Sequence, residues 1–464
     1  MRKLLSVLLI FISLITQAQE LITYEVPPEM LYSAHNDDFT VRVRVPGGEW
    51  QDLYEYNVQV DMDKVLDASM AYFDFSGKVE VWVKKNNGLI HTTQIRPLSY
   101  GIVPEVSGNI ITFTLEEPRN LSIEVNGDKR ENLHLFANPI RTDKPDPDDP
   151  DVIYFGPGVH RPGDLPGDVF HIPSGKTVYL DGGAVVKAKF LINYAEDVKI
   201  IGHGIIYQPE RGVEIRHSKN VTIDGPIIIN PDHYTIYGGG STDLRIRNIK
   251  SFACKPWTDG IDLMACNDVE VDGVFLRTSD DCVAIYGSRW DFYGSSRNIQ
   301  VKNSTLWADV AHPTNIGVHG NATAGGDTIE HVLFKNIDIL EHDEDTRIAQ
   351  GCFGIAAGDN NIVQNITYED IRIEDFEEGM LFKFQVFFSD KYGHAPGMGI
   401  HNIVLKDIEY NGHSANPSEI FGYSAERNIT NIRIKGLKIN GKVIESAADG
   451  DIRIGKYASG IVFK

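Results

Sequence analysis

A six-residue pattern that returns nine times between Asp197 and Gly436 constrains this chain more than any other feature. It reads acid or Asn, an apolar residue, any residue, a second apolar residue, any residue, and finally Asn, Gly or Asp. Early copies are Asp197-Val-Lys-Ile-Ile-Gly202, Asn220-Val-Thr-Ile-Asp-Gly225, Asp243-Leu-Arg-Ile-Arg-Asn248 and Asp268-Val-Glu-Val-Asp-Gly273. Later copies begin at Asn298, His331, Asn365, Asn402 and Asn431. The first apolar anchors are spaced by 23, 23 and 25 residues, and later ones by 30, 33, 34, 37 and 29. One such unit is a short strand and a turn, too small to bury its own apolar face. Stacked units bury it against one another, which implies a parallel β-solenoid with two or three strands per coil. Neighbouring coils then lie about 4.8 Å apart. The competing architecture is a propeller, but each blade takes about 40–50 residues, and the 23-residue steps argue against it. The lengthening steps predict loops growing on one side from about residue 270, and such insertions tend to gather on the binding face.

The rest of the chain has a different grammar. Residues 1–18 carry Arg2 and Lys3, then an apolar run over Leu4–Ile15, then Thr16-Gln17-Ala18. This is a cleavable signal peptide, too short for a transmembrane span, and it predicts a secreted or periplasmic protein. No later apolar stretch is long enough to span a bilayer. Residues 20–140 alternate with period two, as in Lys78-Val-Glu-Val-Trp-Val83, which predicts a small antiparallel β-sandwich with one polar face. No cluster of catalytic residue types falls there, so its expected role is packing or carbohydrate contact. Residues 141–151, rich in Pro and Asp, read as a linker. Residues 152–464 form the solenoid domain. The formal charge of −21 argues against nucleic acid, which demands basic patches. Cys254, Cys266, Cys282 and Cys352 lack metal-site spacing and read as buried thiols, with a Cys254–Cys266 bond left open.

Coil arithmetic puts chemistry on the loop-bearing face. Asp259 and Asp281 are 22 residues apart, close to one local coil. Asp280 to His312 is 32 residues and His312 to Arg347 is 35, again near the local steps. Asp259, Asp280, Asp281, His312 and Arg347 are therefore expected as one ladder. Carboxylates a few ångströms apart raise at least one pKa, so one can stay protonated as a general acid while the others hold and deprotonate water. Inverting glycoside hydrolysis needs that division of labour.

These residues also carry a resemblance. Thr258-Asp259-Gly260-Ile261-Asp262 looks like the Asn-Thr-Asp-Gly motif of polygalacturonases, with Trp257 in place of Asn. Ser279-Asp280-Asp281-Cys282-Val283-Ala284-Ile285 is similar to their Gly-Asp-Asp-Cys segment, and His312-Pro-Thr-Asn-Ile-Gly317 to their Gly-His-Gly segment. Arg347-Ile348-Ala349 falls where they carry Arg-Ile-Lys. Over residues 152–440 the chain thus resembles the right-handed β-helix (pectin-lyase-like) glycoside hydrolases, namely polygalacturonases of family 28 and dextranases and isopullulanases of family 49. The leading sandwich is more like family 49.

The resemblance implies roles. Asp280 would be the general acid, Asp259 and Asp281 would position and deprotonate the water, His312 would support the acid, and Arg347 would bind substrate. It implies no metal and no organic cofactor. The partner would be a polysaccharide or oligosaccharide, met by a monomer. Where polygalacturonases use a Lys to hold the galacturonate carboxylate, this chain has Ala349. That favours a neutral sugar, although Lys383 or Arg289 could substitute. Trp257, Tyr286 and Trp290 are candidate sugar platforms, with His233 and Tyr234 one coil earlier. His319 and Gln385 are weaker candidates, and Asp343–Asp345 reads as a solvated acidic loop. A polysaccharide lyase and a non-catalytic glycan-binding solenoid are the competing functions.

Overall fold

A computed structural model describes residues 19–163 and 167–464. The signal-peptide reading of residues 1–18 lies outside the described residues. No α-helix occurs among the described residues, and none is long and apolar enough to cross a membrane. The fold is all-β, a right-handed parallel β-helix preceded by a sandwich.

The hexapeptide explains its own composition. In all nine copies both ends sit at positive φ: Asp197 (58°) and Gly202 (113°), Asn220 (53°) and Gly225 (104°), and so on to Asn431 (61°) and Gly436 (70°). Left-handed backbone favours Gly, Asn and Asp, so the pattern marks two corners with a short strand between them. The inner apolar pair points into the solenoid, as with Val198 and Ile200, both fully buried. Corner amides bond from coil to coil, as Asn220 to Asp197 (2.6 Å) and Asn431 to Asn402 (2.6 Å).

Each coil has three strand positions. The hexapeptide strands stack as Glu196–Ile201, Lys219–Asp224, Thr242–Arg247 and Asn267–Asp272. After the second corner come short strands such as Ile205–Tyr207, Ile227–Ile229, Lys250–Ala253 and Phe275–Thr278. From Ser296–Ala308 to Gly399–Tyr410 these two positions fuse into one strand per coil, and they separate again as Asn428–Lys435 and Lys438–Ile439. The third position forms an eleven-stranded sheet running from Val169–His171 to Ile452–Ile454.

The N-terminal region forms two sheets. Phe39–Arg44, Val79–Lys85 and Ile110–Leu115 build one, with Val41, Val81 and Phe113 turned inward. The other contains Leu66–Ser76, Leu133–Pro139 and Arg119–Val125. The expected antiparallel pairing holds except between Leu66–Ser76 and Leu133–Pro139, which run parallel. The expected polar face also fails in that sheet. Leu66–Ser76 is buried on both sides, because its outer face lies on the solenoid. Tyr56, Met70, Tyr72 and Phe136 pack there against Val185, Ile205, Ile227, Phe252, Phe275, Trp307 and Leu340, one residue from each of seven successive coils. Residues 141–151 are held to the solenoid by Arg141–Asp224 (3.3 Å) and Lys144–Asp181 (2.7 Å). All four cysteines are buried and free.

Candidate active site

The site lies on the loops that enter the eleven-stranded sheet. The register Ile261↔Val283↔Thr314↔Phe353 fixes the ladder two residues upstream: Asp259, Asp281, His312, then Gly351. Asp280 adjoins Asp281 on the same loop. Carboxylate oxygens of Asp259, Asp280 and Asp281 all lie within 4.8 Å of one another, close enough to share one water or one cation.

The register resolves the Asp280–Asp281 pair, and the expected ladder needs one correction. His312 stacks on Asp281: its Nδ1 lies 2.7 Å from Asp281 Oδ1, and its backbone N–H donates to the same oxygen at 3.2 Å. Arg347 is not the next rung. Thr314 to Phe353 is 39 residues in this sheet, while Val332 to Ile366 is 34 in the neighbouring stack, because a loop is inserted on one side only. Arg347 is 47% exposed and pairs with Glu419 at 3.6 Å; it does not line the cavity, although its neighbours Ile348 and Ala349 do.

The acids are electrostatically distinct. Burial pushes Asp281 up, but the His312 charge and hydrogen bonds from His312 and Asn315 (Nδ2 to Oδ2, 2.7 Å) outweigh it, so Asp281 is held below the usual carboxylate range. Burial and the Asp281 charge push Asp280 up to about 6, against opposing bonds from the Asp281 and Trp257 backbone N–H groups. Burial and repulsion from Asp262, Asp280 and Asp281 hold Asp259 well above its ordinary value. His312 is also raised: burial lowers it, and Asp281 more than compensates.

Two contributors near the acids escaped the sequence reading, and a third was given too small a part. Asp262 is fully buried and carried to about 8 by burial, against the pull of Arg289 at 3.2 Å. Its second oxygen has no hydrogen-bond partner. Asn315, one residue into its strand, anchors Asp281. Arg289, named only as a substitute cation, lies over the Tyr286 ring at 4.7 Å. The signal for Asp262 was an acid at an outward position of the apolar strand Ile261–Met264.

These groups surround a cavity of about 300 Å³. Trp257, Tyr234 and Tyr286 line it, and Trp257 is 65% exposed. Trp290 and His233 stand one ring back, stacked on Tyr234 (5.7 Å) and Trp257 (6.4 Å). His319 and Gln385 both line the cavity, contrary to their lower ranking, and so do Ala349 and Lys383. Lys383 is already committed to Glu419 (3.2 Å). The acidic run is not wholly solvated: Glu344 faces the cavity and Asp343 is half-buried.

A sequence profile of the glycosyl hydrolases of family 28 matches residues 169–450. A polygalacturonase from Juniperus ashei is 30% identical over 176 residues, covering 36% of this chain and 31% of that protein. A probable exopolygalacturonase B from Neosartorya fischeri is 22% identical over 245 residues, covering 46% and 52%. The chain thus spans about a third to a half of the length of these curated relatives. Among solved structures, Dex49A from Penicillium minioluteum superposes with a TM-score of 0.66 at 15% identity, covering 93% of this chain and 95% of that one. A hyperthermoactive exopolygalacturonase from Thermotoga maritima gives 0.50 at 14% identity, covering 68% and 84%. At such identities the superpositions speak to the fold.

Proposed function

This chain belongs to the glycosyl hydrolases of family 28, and on that premise we propose that it is an exported, inverting hydrolase of an α-linked glycan. Asp280 is the acid and Asp281, with Asp259, serves the water. The observation that carries the reading is the split between neighbours. Asp280 is raised to about 6 and can hold a proton, while Asp281 is kept ionised by His312 and Asn315. Asp280 gives its proton to the glycosidic oxygen as the bond to the anomeric carbon breaks. Water attacks that carbon, and its proton passes to Asp281. Asp259, raised by burial and by its acidic neighbours, orients the water by hydrogen bonding. No cofactor enters the balance.

A neutral sugar at the cleavage point fits the cavity best. Ala349 supplies no charge, Lys383 is neutralised by Glu419, and Glu344 adds negative potential. An unpaired carboxylate brought there would be costly. The second reading is a polygalacturonase acting on pectin. It is favoured by the names of the relatives and by Arg289 on the cavity wall. The test is reducing-end release across polygalacturonate, dextran, pullulan and algal galactans, with Asp280→Asn as control. Removal of the acid should cost about 10²–10⁴-fold. Full activity in that variant would refute the assignment. Activity confined to polygalacturonate would select the second reading.

A further inference from the structure

The N-terminal sandwich contributes a residue to the cleft. The 3-10 turn Met62–Lys64, between strands Tyr56–Val60 and Leu66–Ser76, reaches across to the solenoid, and Met62 lines the cavity with Asp280. The turn is firmly held. Met62 N–H donates to Ser279 Oγ at 3.0 Å, and Asp61 N–H donates to Asp309 Oδ2 at 3.2 Å. Ser279 immediately precedes Asp280, and Asp309 is itself clamped by Arg277 (2.8 and 2.9 Å). The Asp61 carboxylate accepts from the Asp63 and Lys64 backbone N–H groups and from the Arg130 side chain, which also pairs with Glu377. Asp61 adopts φ 60° and ψ 94°, a backbone an L-residue rarely takes. Strain of this kind persists only where the surroundings enforce it, and it clusters at functional sites.

We propose that Met62 is a specificity-determining residue. With Val310, Ala311, Ile348 and Ala349 it forms an apolar side of the cleft that takes the C–H face of an uncharged sugar beside the scissile bond. Ile348 is 56% exposed, so this side is open to a ligand. A thioether fills irregular apolar gaps and accepts a ring face without demanding a hydrogen bond. A carboxylate placed against the same five side chains would be desolvated with no partner. The inference rests on the hydrolase reading and deepens it, because one of the five groups comes from the other domain.

The test uses the full-length protein with dextran, pullulan, algal galactans, polygalacturonate and methyl-esterified polygalacturonate as probes. The turn is anchored by main-chain N–H groups, so Met62→Ala keeps its docking, and thermal unfolding run alongside checks this. On the uncharged probe that wild type cleaves best, Met62→Ala should raise KM about tenfold, with the loss falling on KM rather than kcat. Met62→Leu should restore KM to within about twofold, and Met62→Lys should shift relative kcat/KM towards polygalacturonate. Cleavage by wild type with KM and glycan preference unmoved in all three variants overturns this inference alone. Wild-type inactivity on every probe overturns the hydrolase reading and this inference with it.

Discussion

Replacing Asn315 by Ala should move one limb of the pH–rate profile and leave the other in place. Asn315 donates to Asp281 Oδ2 at 2.7 Å and is one of the groups that hold this acid below 3.8. It does not figure among the groups that set Asp280. A hydrogen bond to a charged group contributes about 1.5–3 kcal/mol. At about 1.36 kcal/mol per pKa unit, its loss raises the Asp281 pKa by about one to two units. His312 keeps its two contacts, so the lower figure is the better expectation. The sign follows from which form the bond favours: it stabilises the carboxylate, so removing it makes Asp281 harder to ionise. The acid limb of kcat/KM, which requires ionised Asp281, therefore moves up by about one unit. The alkaline limb, which requires protonated Asp280, stays near 6. The assay is reducing-end release at low substrate from about pH 3 to about pH 8. An unmoved acid limb, or an equal shift of both limbs, would show that Asp281 is not the ionised partner.

Three further outcomes are expected. Asp262 lies well above its ordinary 3.8, at about 8, so the folded state binds a proton the unfolded chain has lost, and stability falls as pH rises across that window. Asp262→Asn should flatten the decline of Tm between those limits, and an unchanged slope would count against the buried proton. Trp307→Ala removes a fully buried ring that donates to Asp309 at 2.8 Å. It should cost about 3–5 kcal/mol in denaturant titration, and a change below about 1 kcal/mol would mean the domain junction is not tightly packed. Proton NMR of the first product should show the inverted anomer. Retention would refute the assignment of Asp280 as acid and Asp281 as base.

The solenoid was legible because its corners are chemically marked: only Gly, Asn, Asp and one His occupy the paired left-handed positions. The Asp259–Asp281 rung was legible for the same reason, since no insertion separates the two coils. The Arg347 rung was not, because spacing measured on one stack cannot register a loop inserted ahead of another. Asp262, Asn315 and Met62 escaped for a different reason. Strand alternation tells that a side chain points outward. It does not tell which loop, from which coil or from another domain, meets it there.

The docked sandwich also bears on how the molecule comes apart. A bare solenoid has only nearest-neighbour contacts, so it can fray turn by turn from either end. Here one sheet touches seven successive coils, from Val185 to Leu340. Losing any of those coils strips apolar cover from the sheet, so this stretch is tied into a single cooperative block. The apolar contact ends at Leu340, and the next coil is reached by Glu374 through Arg96 at 2.6 Å. The C-terminal coils therefore keep the graded melting of a repeat, and amide exchange should run faster there than in the block that carries the three acids.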